Sequence, residues 1–133
     1  MQQVVAALIV RDGRLLICQR TQDQSMPLQW EFPGGKTEAG EPARAALRRE
    51  LEEELGITAV IGSQAAHIIH QYAGGDAFDL LFFLVHIWEG EVRNRIFRDV
   101  RWVSCPELAG YDFLEADQKL VQDMADGKIK LWE

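Results

Sequence analysis

Three glutamates near the middle of the chain, Glu50, Glu53 and Glu54, are the residues whose spacing most clearly implies chemistry. They close the segment GGKTEAGEPARAALRRELEEELGI, Gly34 to Ile57, which reads as a helix set between Pro42 and Gly56. Proline suits a first helical turn, and glycine suits the residue just past a helix end. Ala43, Leu47, Leu51 and Leu55 recur every fourth residue and supply its buried stripe. With Leu47 at zero and about 100° per residue, Glu54 falls at about −20°, Glu50 at about −60° and Glu53 at about −120°. Arg48, Glu52, Ala45 and Arg49 fall on the far side, toward solvent.

The carboxylates therefore crowd one edge of an apolar stripe. Like charges three or four apart on a helix repel by a few tenths of a kcal/mol per pair. All three lie at the negative end of the helix dipole. Partial burial adds a desolvation cost of about several kcal/mol for each unpaired ion. No single basic residue on that edge offsets all of this, whereas a divalent cation would. Carboxylate oxygens suit Mg²⁺ or Mn²⁺, ions that often accompany phosphate substrates. A solvated acidic face is the competing explanation; the apolar flank and the Gly34-Gly35 approach favour the metal.

The fixed positions Gly35, Glu41, Arg49-Glu50-Leu51, Glu53-Glu54 and Gly56-Ile57, with five, seven, one and one residues between them, resemble the Nudix box at every point. The resemblance implies an α/β (α+β) Nudix fold, a mixed β-sheet sandwiched between α-helices, with residues 1–133 as one domain. It implies hydrolysis of a nucleoside diphosphate linked to another group. It also implies that Glu50, Glu53 and Glu54 hold the metals with the carbonyl of Gly34, and that Arg49 orients the acids by pairing with them. Guanidinium forks match carboxylates, so that role fits the chemistry.

Size and charge narrow the function further. A 133-residue chain that is 47% hydrophobic can build a real core. The net charge of −7 argues against a nucleic-acid backbone as partner. It also leaves cations as the natural bridge to an anionic triphosphate. The opening MQQVVAALIVRDG has too short an apolar run for a membrane span and lacks a basic leader, so a cytoplasmic protein without membrane contact is expected. Cys18 and Cys105 lack metal spacing and read as unpaired core residues.

The flanking elements must carry the substrate. Residues 3–10 and 14–20 read as strands joined at Asp12-Gly13, a hairpin signal. Arg20 is either an exposed strand end or a phosphate contact, as the family commonly has an arginine there. Residues 21–29 read as a loop, followed by WEFPGGK. By resemblance to the MutT branch, Phe32 lines the base pocket with Glu31 at its entrance; core packing is the alternative for Phe32 and Trp30. Lys36 is read as reaching a phosphate or the acids, or as a solvated lysine.

Residues 57–72 read as a strand interrupted at Gly62, and 77–88 as one nearly unbroken central strand. Tyr72 and Phe78 flank the intervening turn as candidate stacking residues. His67, His70 and His86 read as structural. Residues 89–99 read as a loop, and Arg93, Arg95, Arg98 and Arg101 as surface. The family often places a further glutamate in this loop; here Ile96 and Phe97 occupy the matching positions, which leaves the base and the metal count open. Residues 100–104 read as a strand, 105–114 as a loop and 115–126 as an amphipathic helix with Ala116, Leu120, Val121 and Met124 inward. Asp117 either favours that helix N-terminus or, as in the MutT branch, bonds a base edge.

The resulting expectation is a Mg²⁺-dependent MutT-like pyrophosphohydrolase, monomer or homodimer. It would convert nucleoside triphosphates to monophosphate and pyrophosphate, first among them oxidised ones such as 8-oxo-dGTP. CTP or a modified dCTP is the alternative substrate, and a non-catalytic nucleotide sensor the alternative class. Glu53 or Glu54 is the expected base.

Overall fold

A computed structural model describes residues 1–131. Strand β1 (Gln2–Arg11) turns tightly into β2 (Arg14–Gln19). The turn works because Asp12 and Gly13 both take positive φ, 51° and 76°, which matches the twist of the flanking strands. Two short strands follow, β3 (Trp30–Glu31) and β4 (Gly34–Lys36), then helix α1 (Ala43–Leu55). Gly56 ends α1 in the left-handed region at φ 70°, as a glycine just past a helix does.

Next come β5 (Thr58–Val60), β6 (Gln64–Gln71), β7 (Ala77–Val85), β8 (Ile87–Glu89) and β9 (Asp99–Val103). Short 3₁₀ turns at Pro106–Gly110 and Glu115–Asp117 lead into helix α2 (Gln118–Ala125).

The sheet is mixed. β1 runs parallel to β7 and antiparallel to β2 and β4, in the order β3-β2-β1-β7-β6, with β9 on β2. Alternation along β1 builds two cores. Val5, Ala7 and Ile9 face Leu47, Leu51 and Leu55 of α1. Ala6, Leu8 and Val10 share the other core with Leu120, Val121 and Met124 of α2. The mixed sheet between helices is as expected, and so is the inward face of the last helix.

Two expectations change. Residues 77–88 are not one strand: the chain leaves the sheet at His86, and β8 pairs with β5 in a separate ribbon. The His86 Nε2–H donates to the carbonyl of Leu131 at 2.6 Å at that break. The segment 115–126 begins as a 3₁₀ turn, so Asp117 precedes α2. Cys18 and Cys105 are free thiols. Among the described residues, no helix is long and apolar enough to cross a membrane.

Candidate active site

Strand β4 brings the Gly-Gly backbone against the last turns of α1. A Cβ on Gly34 would stand 2.0 Å from the carbonyl oxygen of Val5, and one on Gly35 would stand 2.4 Å from Cδ of Glu50. Only glycine lets β4 lie between β1 and the carboxylates. The Gly34 N–H donates to Oε1 of Glu54 at 3.1 Å.

Glu54 is buried on α1, as its place inside the apolar stripe implied. Burial first, then the neighbouring charges of Glu50 and Glu31, push its carboxyl up to about 9, against a smaller opposing effect of the Gly34 N–H. Burial likewise raises Glu50, with the hydrogen bond and charge of Arg49 opposing. A buried carboxyl raised as far as that of Glu54 keeps its proton at neutral pH when no cation is beside it. The Glu53 side chain is 59% exposed and lies 3.5 Å from Nη1 of Arg49. Among the described residues, no three acidic, histidine or cysteine side chains converge into a ready cage for a metal ion.

Arg49 does not point to solvent as the helical wheel placed it. Its long side chain sweeps back along α1. Nε and Nη2 grip both oxygens of Glu41 at 2.9 and 3.0 Å, Nη1 reaches Glu50 at 3.0 Å, and Nη2 donates to the Lys36 carbonyl at 3.2 Å. The ridge therefore does have a partial cationic partner. Glu41 is the counterweight that aims it, a function not read from the sequence although Glu41 is a fixed position of the box.

A cavity of about 410 Å³ opens beside this ridge. It is lined by Glu50 and Glu54 together with Gly34, Gly35 and Lys36. Arg20, Phe32, Phe78 and Asp117 all line it too, so every substrate-contact candidate meets the acids in one space. Phe32 is buried and packs edge-on to Phe82 and beside Phe113, so core packing and pocket lining are both true of it. Trp30 sits in the core against Tyr111.

Arg20 is already engaged. It donates to Glu31 at 2.9 Å and to the carbonyl and hydroxyl of Ser25 at 2.8 and 3.1 Å. Asp117 is buried, and burial followed by the charge of Glu31 raises it to about 7. Glu31 is raised by its own burial, with Arg20 opposing. Tyr72 joins the wall, edge-on to both Phe78 and His70.

The histidines have partners that spacing could not reveal: His67 pairs with Asp79, and His70 with Glu115 at 3.3 Å. From the loop after β8, Ile96 and Phe97 line the cavity, whereas Glu89, Glu91 and Asp99 do not. Asp99 is taken by Arg101 at 2.8 Å.

A mixed sheet lies between two helices, and the acidic end of one packs against a glycine strand at the edge of a single cavity. The NUDIX domain family profile matches residues 1–124, and the chain belongs to that family, in its MutT-like branch. It is 39% identical over 124 residues to the putative 8-oxo-dGTP diphosphatase 2 of Mycobacterium tuberculosis, covering 93% of this chain and 88% of that one. It is 38% identical over 123 residues to the CTP pyrophosphohydrolase of Escherichia coli, covering 92% and 90%. The solution structure of the E. coli ORF135 protein superposes with a TM-score of 0.82 at 37% identity, covering 92% of this chain and 86% of that one.

Proposed function

We propose that the protein hydrolyses nucleoside triphosphates to the monophosphate and pyrophosphate, with oxidised purine triphosphates such as 8-oxo-dGTP as its first substrate class. The carrying observation is the meeting of Glu50 and Glu54 with Phe32, Phe78 and Asp117 around one cavity. Relatives named as 8-oxo-dGTP diphosphatases at 34–39% identity support the substrate class. A CTP-like substrate stays as second reading because a relative of that name is 38% identical. A non-catalytic sensor is not favoured, because these relatives are named for hydrolysis.

The donor set fits a hard divalent cation. Glu50, Glu53, Glu54 and the Gly34 carbonyl offer only oxygen, which suits Mg²⁺ and admits Mn²⁺. The ionisation of Glu54 is held back by its burial and then by the neighbouring carboxylates, the situation that a cation would reverse. A cation held there would neutralise phosphate charge and lower the pKa of a nearby water.

The chain's own residues have separate tasks. Glu53, the most exposed of the three acids, takes the proton from the attacking water. Arg49, braced by Glu41, fixes the Glu50 carboxylate. Lys36 and Arg20 face the phosphates, with Arg20 exchanging a Ser25 contact for a phosphate oxygen. Phe32 and Phe78 border the base, and Asp117 bonds its edge.

The test is a panel of 8-oxo-dGTP, dGTP, CTP and 5-substituted dCTP with Mg²⁺, scored for pyrophosphate. Pyrophosphate from the oxidised purine at the highest kcat/KM is expected. Binding without product, or release of inorganic phosphate alone, would refute the reading.

A further inference from the structure

Helix α1 ends among its own carboxylates, and the groups that close that end come from about forty residues further along the chain. The last carbonyls of a helix have no partner within it. Here the Arg93 N–H donates to the carbonyl of Leu55 at 2.9 Å, and the Arg95 N–H to that of Glu54 at 3.1 Å. The Arg95 guanidinium reaches back, Nη1 donating to the carbonyl of Glu52 at 3.0 Å. A cation thus stands at the negative end of the helix dipole, beneath the turn that bears Glu53 and Glu54.

The segment is held at its other end too. Asn94 brackets Phe97, its amide donating to the Phe97 carbonyl and its Oδ1 accepting the Phe97 N–H, both at 2.8 Å. The Arg98 N–H donates to the carbonyl of Gln19 at 3.0 Å, and Phe97 is buried. Gly56 leaves the space for this arrangement: a Cβ there would stand 3.0 Å from Nη2 of Arg95. Between the two anchors, Ile96 faces the cavity.

We infer that Arg95 is a positioning residue for the carboxylate turn, setting the pitch at which Glu53 and Glu54 leave the helix, and that the loop carrying it is a fixed wall of the active site. The inference rests on the metal-dependent hydrolase reading above. Arg95 touches neither carboxylate; it acts through the backbone that carries them.

Arg95→Met and Arg95→Lys test it. Arg44→Met is the control: Arg44 ties α1 to the carbonyls of Ile61 and Gly62 at 2.9 and 2.6 Å, away from the carboxylates. Mg²⁺ binding by calorimetry without nucleotide, Mg²⁺ activation of turnover, melting temperature and amide exchange are measured on all three and on wild type. Arg95→Met is expected to weaken Mg²⁺ binding and raise the half-activating concentration on the order of tenfold. It should also speed exchange at Glu53 to Gly56, with Arg95→Lys recovering part of each loss. Arg44→Met should lower the melting temperature and leave Mg²⁺ binding unchanged. Equal Mg²⁺ affinity in wild type and Arg95→Met overturns this inference alone. A wild type that takes up no Mg²⁺ overturns the hydrolase reading along with it.

Discussion

Replacing Glu54 by glutamine should stabilise the metal-free protein, increasingly so as pH rises. The wild-type carboxyl is buried and titrates at about 9, whereas in the unfolded chain it titrates in the usual range near 4.3. Between those values the folded state holds a proton that the unfolded state has released. Stability therefore falls with rising pH across that window and is greatest below the unfolded value. One such group costs up to about 1.4 kcal/mol per pH unit. From pH 5.5 to 8, with a discount for its coupling to Glu50, the advantage of Glu54→Gln over wild type should grow by about 2–3 kcal/mol. Urea unfolding in chelator at the two pH values reads this directly. Saturating Mg²⁺ should reverse the order, because only the wild-type carboxylate gains a cation. Parallel pH slopes for the two proteins in chelator would refute the assignment of a protonated, buried Glu54.

Glu53→Gln should lower kcat by on the order of a hundredfold or more with an unchanged melting temperature, since the group is exposed and its proposed task is proton transfer; near wild-type turnover would remove Glu53 from the mechanism. Gly35→Ala should displace the Glu50 carboxylate, 2.4 Å from the new Cβ, and weaken Mg²⁺ binding about tenfold or more in calorimetry. Asp117 titrates at about 7, so kcat/KM for a base read through its N–H donors should rise with pH through neutrality, and Asp117→Asn should flatten that profile and lower the value about tenfold; an unchanged profile would detach Asp117 from the base.

Local signals in the sequence reached far in this chain. Asp12-Gly13 announced the hairpin, and the stripe from Ala43 to Leu55 with Gly56 after it announced α1, because turn chemistry and helical period are written in consecutive residues. The same wheel placed Glu54 inside the buried face, where it lies. It failed for Arg49, because a wheel follows Cβ directions while a long side chain can double back to Glu41 and Glu50.

Contacts between distant segments were not legible. An apolar run gives no notice of the break at His86, since β7 and β8 are both apolar and only pairing separates them. Strands β3 and β4 are too short to show a period, and exist because β1 and β2 supply their partners. Arg95 read as one surface arginine among four. Its contact with the end of α1 links residues more than forty apart, and the space left by Gly56 was the one local trace of it.

The account rests on cation uptake by the carboxylate ridge. Calorimetric titration of the wild-type protein with Mg²⁺ or Mn²⁺ at pH 7.5, in two buffers of different ionisation heat, measures that uptake together with the proton it should displace from Glu54. Saturable binding with release of about one proton, abolished in Glu54→Gln, is the predicted result. No saturable heat for either ion, with or without nucleotide, would contradict it.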